Sequence, residues 1–279
     1  MRAATAAQFI LAATLSAPFL ATPAKAGANL LVPHRAVYDL ALDNASERSG
    51  ITGINGRMVY EFAGSACDGY TATFRFVTRV DTAEVSRLTD QQTTTYEDGE
   101  GDNFSFVTRT FVDKALDSEL KGSARLDKKK TLVSLEKPKE REVSLEAANF
   151  PTRHLMELLS QIQQGETFYE TTLFDGSEDA DKIMTTTVII GREAKASSGD
   201  PEMKALASLG KEAFWPVDMA YFDLNDTGAD GEELPSYRIS FKLYDNGVTR
   251  DLVMDYGDFS MTGTLVDLSL FEQPDNCTK

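Results

Sequence analysis

The sequence predicts a mainly β fold: an antiparallel sheet with one amphipathic helix and a short second helix. Three observations support this fold class: apolar and polar side chains alternate along much of the chain, an Asn-Gly turn joins two alternating segments, and one segment has helical spacing. A period of two gives a strand one dry face and one wet face, whereas a period near 3.6 gives a helix one apolar stripe. With 42% hydrophobic residues, the chain can also bury a core.

The strands are predicted from the alternating segments in chain order. In the first, residues 34–42, the side chains of Ala36, Tyr38 and Leu40 fall on one face. Aromatic and β-branched residues, which favour strands, repeat this pattern at 58–62, 70–76, 104–112, 183–190, 215–224, 237–243 and 252–256. Asn246-Gly247, between the last two segments, is a strong hairpin signal. We expect about ten or eleven strands, mostly antiparallel because the connections are short.

Residues 150–164 interrupt this pattern with helical spacing. The apolar residues that share one face of this helix are Leu155, Met156, Leu158, Leu159 and Ile162. Pro151 near the start and Gly165 after the end match the usual helix boundaries. A shorter helix is expected at 201–209. The apolar stripe of the longer helix is expected to cover the dry face of the sheet.

The N-terminal segment, residues 1–26, has the features of a cleaved signal peptide. Arg2 gives a basic start, residues 6–20 are mostly small and apolar, and Ala24-Lys25-Ala26 is a cleavage signal. The apolar core is shorter than the ~20 residues that span a bilayer, so the alternative of a membrane anchor is less favoured. We therefore expect export to the periplasm and a single domain at 27–279.

The two cysteines, Cys67 and Cys277, allow one disulfide bond. An oxidising compartment such as the periplasm permits this bond, and we predict it. The alternative is a free, nucleophilic cysteine. Two cysteines are too few for a zinc cluster or an iron–sulfur site that relies on thiolates.

Composition and motifs argue against several functions. The net charge of −16 is unfavourable for binding nucleic-acid phosphates. The chain carries neither a Gly-x-Ser-x-Gly sequence nor a phosphate-binding or dinucleotide-binding glycine motif. His34 and His154, its two histidines, are interpreted as structural, although a scattered Ser-His-Asp triad stays open. The acidic segment that starts at Asp223 matches a calcium loop only in part. We therefore predict no catalytic residue, no metal and no cofactor.

One basic segment, residues 121–141, stands out from the acidic background. It contains eight Lys and Arg residues and three acidic ones, with Lys128, Lys129 and Lys130 at its centre. Two interpretations are open and compatible. The segment could bind anionic head groups or an acidic partner, or it could be a lysine-rich edge hairpin that prevents aggregation between sheets.

Four sequence segments resemble the EipB family of alphaproteobacterial periplasmic proteins. They are Pro33-His34-Arg35-Ala36-Val37-Tyr38, the Gly64–Tyr70 segment around Cys67, Phe150-Pro151-Thr152 with His154-Leu155, and the run from Phe214-Trp215-Pro216 to Phe222. The resemblance covers essentially all of the predicted mature chain. It implies an antiparallel β-spiral, an open and overlapping half-barrel similar in fold to the lipoprotein carriers LolA and LolB. It also implies a disulfide between Cys67 and Cys277 and a role in cell-envelope integrity, with no catalytic residues to transfer.

The function favoured by these observations is non-enzymatic binding of an envelope component. A curved sheet with a dry inner face would form an apolar pocket for a lipid, an acyl chain or a hydrophobic peptide. The candidate lining residues are Leu155, Leu159 and Trp215. Alternatives are a scaffold that docks another envelope protein and, less favoured, a hydrolase of envelope material. The expected partner is an envelope component, either a lipid, a lipoprotein or a periplasmic protein, and neither nucleic acid nor a transmembrane segment is expected.

Overall fold

The computed structural model describes residues 31–177, 179–209, 212–223 and 234–272. These residues form fifteen strands in one sheet, one α-helix, α1 (Pro151–Gln164), and two single-turn 3-10 segments at Glu47–Ser49 and Ala205–Ser208. The strands are β1 (His34–Ala45), β2 (Ile51–Ser65), β3 (Gly69–Thr82), β4 (Ser86–Glu97), β5 (Asn103–Val112), β6 (Ala115–Asp127), β7 (Lys130–Lys137), β8 (Arg141–Glu146), β9 (Phe168–Leu173), β10 (Met184–Ile190), β11 (Ala194–Lys195), β12 (Ala213–Phe222), β13 (Tyr237–Tyr244), β14 (Thr249–Asp255) and β15 (Phe259–Leu270). The predicted signal peptide, 1–26, lies outside these ranges.

The sheet is open, and the pairs between its strands are antiparallel. Its order is β8-β7-β6-β5-β4-β3-β2-β1-β15-β14-β13-β12-β10-β9, with β11 beside β12. β1 and β15 pair in the middle, where His34 lies opposite Leu270. The two outer strands approach each other at Asn149, which follows β8 and forms a parallel bridge with Leu173 of β9. The predicted antiparallel, mainly β fold with an open sheet is confirmed.

The structure differs from the predicted elements in two ways. The described residues contain fifteen strands because several, such as β4, are rich in polar residues and show little apolar alternation. The second helix, expected at 201–209, is a 3-10 turn at Ala205–Ser208. The Asn-Gly hairpin is confirmed: Gly247 has a φ of 87°, and its amide donates to the carbonyl of Tyr244 at 3.0 Å.

The core forms because α1 packs into the curve of the sheet. Its buried residues Leu158, Leu159 and Ile162 contact a cluster that includes Phe62 of β2 and Met219 of β12. A second cluster fills the sheet around β1, β14 and β15. A third is built on the phenylalanines Phe104, Phe106, Phe150 and Phe174. Much of the dry face is therefore occupied by protein side chains.

Candidate functional site

A cavity of about 700 Å³ lies on the inner face of strands β2–β6. Its opposite side is formed by Pro151, Leu173 and the segment after β9, which includes Asp175, Gly176 and Ser177. Ligand pockets in proteins span ≈ 300–1,000 Å³, so this cavity can take a small molecule or part of a lipid.

The strand register explains which side chains line the cavity. Tyr60, Phe74, Thr93, Thr108 and Leu120 lie opposite one another in one row across β2–β6. Residues directly opposite on paired strands share a face of the sheet, so all five side chains face the cavity. The apolar residues at the two ends of this row therefore flank a polar centre.

The polar centre of this wall, which we call the hydroxyl wall, consists of Gln91, Thr93, Thr95, Thr108 and Thr110. Gln91 lies opposite Thr110, and Thr93 lies opposite Thr108. The hydroxyl oxygens of Thr93 and Thr108 are 2.9 Å apart, which is hydrogen-bond distance. The apolar inner face predicted from the sequence is therefore interrupted by neutral hydrogen-bonding groups.

The charged residues along the cavity are acidic. They are Asp117, Glu119, Asp175 and Asp179, and the described lining contains no lysine or arginine. Glu119 is paired with Arg109, whose Nε lies 2.7 Å from its carboxylate. A carboxylate in the ligand would therefore meet like charge here, which is unfavourable.

A buried carboxylate from β4 holds the start of α1 beside the cavity. Glu97 accepts hydrogen bonds from the backbone amides of Thr152 at 2.7 Å and Arg153 at 2.9 Å. Burial raises the pKa of Glu97, although these two hydrogen bonds act in the opposite direction. Because Pro151 at the start of the helix also lines the cavity, this contact fixes part of the cavity wall.

The structure places the three predicted lining residues elsewhere. Leu155 and Leu159 lie on α1 in the apolar cluster under the helix, and Leu159 is fully buried there. Trp215 of β12 is half-buried against the same cluster. None of the three lines the 700 Å³ cavity. The hydroxyl wall was missed because the only sequence signal, a run of Gln and Thr at 91–95, gives no apolar alternation.

Both histidines are buried in hydrogen-bonded positions outside the cavity lining. His34 Nδ1 lies 2.7 Å from the carbonyl oxygen of Val32, and His154 Nε2 lies 3.1 Å from the hydroxyl of Thr186. Burial lowers the pKa of both, and that of His154 falls to about 4. These environments favour neutral imidazoles, which fits a structural role.

Much of the basic segment is paired with carboxylates. Lys121 is bonded to Glu136, and Lys130 is bonded to Glu146 across neighbouring strands. Lys128 and Lys129 lie exposed in the turn between β6 and β7. The segment therefore forms the β6–β7 hairpin and the first residue of the edge strand β8, and its positive charge is partly balanced locally.

Cys67 is exposed in the turn between β2 and β3, whereas its predicted partner Cys277 lies outside the described residues. The disulfide bond stays a prediction. The calcium-like segment that starts at Asp223 continues into residues 224–233, which are also outside the described ranges.

The described residues contain neither a metal-binding cluster nor a membrane-spanning helix. Within the described ranges, no group of three or more His, Cys, Asp or Glu residues is arranged to hold a metal ion. No helix in the same part of the chain has the length and apolarity needed to cross a bilayer.

Comparisons with known proteins agree on one family. The family model described as EipB-like matches residues 25–272. The chain is 54% identical over 263 residues to a protein from Brucella abortus (strain 2308) named cell envelope integrity protein EipB, covering 94% of this chain and 92% of that protein. A crystal structure from Brucella abortus, described as a β-barrel-like protein of a domain of unknown function, matches with a TM-score of 0.83 and 55% identity. It covers 88% of this chain and 100% of the other.

Proposed function

Because this chain belongs to the EipB-like family, we propose that it is a non-catalytic periplasmic protein that maintains the cell envelope by binding an amphipathic envelope component. The observation that carries this proposal is the 700 Å³ cavity on the inner face of β2–β6. The name of the Brucella abortus relative supports a role of the protein in the envelope, and the predicted signal peptide supports a periplasmic location.

The lining of the cavity supports an amphipathic ligand more than a purely apolar one. Tyr60, Phe74 and Leu120 offer apolar surface at the two ends of the row, while threonine hydroxyls lie between them. Thr93 and Thr108 bond to each other, but a hydrocarbon would exclude water and leave the rest of their hydrogen-bonding capacity unsatisfied, which costs free energy. The sequence favoured a lipid, an acyl chain or a hydrophobic peptide as the ligand. The lining narrows this class of ligands to molecules that have both an apolar and a polar part.

Two other functions are less supported by the geometry. A hydrolase that relies on histidine would need an imidazole at the cavity, but neither His34 nor His154 lines it, and burial lowers the pKa of both. A scaffold that docks a partner protein makes no use of a cavity of this size. Crosslinking in the periplasm tests the scaffold, because a scaffold would be recovered with a protein in place of a small molecule.

The proposal is tested by filling the cavity. Thr95→Trp places a large ring among the lining residues, whereas Thr94→Trp places the same ring on the opposite, exposed face of β4. In a strain that lacks the gene, we expect Thr94→Trp, but not Thr95→Trp, to restore resistance to envelope stress. Native mass spectrometry of protein purified from cells should detect a bound amphiphile in wild type and in Thr94→Trp, and not in Thr95→Trp.

The experiment has a clear contrary result. If Thr95→Trp is folded, as judged by circular dichroism and its melting temperature, and still restores resistance fully, the cavity is not required. A second filled variant, Thr110→Trp on β5, guards against a local effect at one position, because Thr110 also lines the cavity.

A further inference from the structure

Part of the hydrogen-bonding capacity of the hydroxyl wall is not used within the protein, although the Thr95 hydroxyl donates to the carbonyl of Ala72 at 3.5 Å. Thr93 is buried, with 7% of its surface exposed, and its hydroxyl is bonded to that of Thr108. Two hydroxyls carry two donors and four lone pairs between them, and a single bond uses one of each. The pair can therefore still donate one hydrogen bond and accept others from a molecule in the cavity.

The neighbouring polar groups on this wall are also neutral. Gln91 and Thr110 form the adjacent cross-strand pair, and Thr95 follows Thr93 on the same face of β4. Side chains two apart on one strand are ~6.8 Å apart, and paired strands are ≈ 4.7–4.9 Å apart. This grid of donors and acceptors matches a ligand group that has several closely spaced hydroxyls or amides.

Two aromatic rings beside these polar side chains provide the apolar surface that a sugar-like group would contact. Phe74 lies opposite Thr93 in the register, and Tyr60 lies opposite Phe74. Both rings line the cavity. A neutral head group with polar edges and an apolar face can hydrogen-bond to the threonines while its apolar part contacts these rings.

The charges around the cavity oppose an anionic head group. Asp117, Asp175 and Asp179 belong to the lining, and the described lining lacks lysine and arginine. Arg109 is paired with the lining residue Glu119, and Lys139 and Arg141 line a neighbouring pocket. The guanidinium of Arg141 is already bonded to the carboxylate of Asp181 and the carbonyl of Asp179.

We infer that the hydroxyl wall recognises a neutral head group with several hydroxyls, such as the sugar of a glycolipid, in preference to an anionic one. This inference rests on the proposed function, since it specifies the polar part of the ligand that the cavity binds. Thr93 and Thr108 are the residues that make this selection.

The test compares three probes with the same ten-carbon chain: decyl glucoside, decanoate and decyltrimethylammonium, which are neutral, anionic and cationic. Binding is measured by isothermal titration calorimetry below the micelle threshold of each probe. We expect the glucoside to bind at least about tenfold more tightly than decanoate, because hydrogen bonds of about 1 kcal/mol each are lost and like charges approach.

The variants separate the hydroxyls from the shape of the cavity. Thr93→Val with Thr108→Val removes both partners of a hydrogen bond and conserves shape, a change that is nearly neutral for stability. We expect this double variant to weaken the glucoside about tenfold and to leave decyltrimethylammonium unchanged. Thr93→Ser with Thr108→Ser keeps both hydroxyls and should bind the glucoside like wild type.

The outcomes distinguish this inference from the proposed function. If wild type binds the probes, and Thr95→Trp abolishes this binding, but the double valine variant binds all three like wild type, the inference is wrong and the cavity function stands. Binding of decanoate that is as tight as that of the glucoside, or tighter, would also overturn the inference. If no probe binds to wild type, both the inference and the proposed function fail.

Discussion

The carboxylate of Glu97 on β4 caps helix α1 by accepting a 2.7 Å hydrogen bond from the backbone amide of Thr152. The residue at the helix N-cap, Phe150, supplies no side-chain hydrogen bond, so a distant residue takes the place of the usual Ser, Thr, Asp or Asn. A negative group at this end of a helix also interacts favourably with the helix dipole. This hydrogen bond therefore joins strand β4 to helix α1 at the edge of the cavity.

We expect Glu97→Gln to lower the free energy of unfolding by about 1–3 kcal/mol, because an amide nitrogen would face a buried N–H donor and leave it unpaired. Urea denaturation measures the loss, and hydrogen exchange at Thr152 and Arg153 should become faster. Glu100→Gln, at an exposed position, is the control and should change stability by less than about 0.5 kcal/mol. Equal stability of both variants would contradict the capping role.

The buried imidazole of His154 should make the protein less stable in acid. Its pKa falls to about 4 in the folded protein, compared with about 6.5 in an unfolded chain. Between these values the unfolded state binds more protons, so stability is full above pH ~6.5 and decreases as the pH falls towards ~4, by about 3 kcal/mol.

Replacing His154 tests the predicted direction of this pH dependence. We expect His154→Gln to reduce the loss of stability between pH ~7 and ~4, measured by urea denaturation across that range. Some loss should persist because burial also lowers the pKa of His34. An unchanged pH slope in the variant would show that His154 is not responsible.

A buried arginine is expected to be essential for stability. Nη1 of Arg250 lies 2.8 Å from Glu202 and 3.0 Å from Asp200, and the side chain is fully buried. Arg250→Met should lower the free energy of unfolding by about 3–5 kcal/mol, because the buried carboxylate of Glu202 and the partly buried one of Asp200 lose their partner. Arg238→Met removes an exposed pair with Asp218 and should cost at most about 1 kcal/mol. A similar cost for both arginines would refute the role of burial.

The predicted disulfide bond between Cys67 and Cys277 has its own test. We expect Cys67→Ser, or reduction of the wild type, to lower the melting temperature and to increase proteolysis of the C-terminal strands. For a loop of this length the chain-entropy model gives an upper bound of about 5 kcal/mol. An unchanged melting temperature under reducing conditions would count against the bond.

The exposed lysines of the β6–β7 turn allow a test of membrane contact. We expect Lys128→Glu with Lys129→Glu to weaken binding to anionic vesicles, since each lysine near such a surface contributes about 1 kcal/mol. Lys121→Glu is the comparison, because that lysine is already paired with Glu136 and should matter less. Binding that is identical in all variants would favour the interpretation of a protective edge hairpin.

The sequence was informative where a pattern is local. Alternation located strands such as β1 and β13, helical spacing located α1, and Asn246-Gly247 located a hairpin, as the structure confirms. The family match over residues 25–272 also confirms the resemblance. By contrast, the contacts of Glu97 with α1 join residues 55 and 56 positions apart. The hydroxyl wall depends on the register between β4 and β5, and neither feature follows from a local pattern.

The pairing of β1 with β15 has a consequence for the order in which the protein can be completed. The centre of the sheet joins the strand that begins at His34 to the strand that ends at Leu270, so one neighbour of β1 is supplied by the last strand of the described residues. Strands β2–β8 pair with sequence neighbours and can assemble as the polypeptide emerges. Closing contacts between such distant segments are slow to form. The complete native sheet therefore cannot form until nearly the whole polypeptide is available for folding.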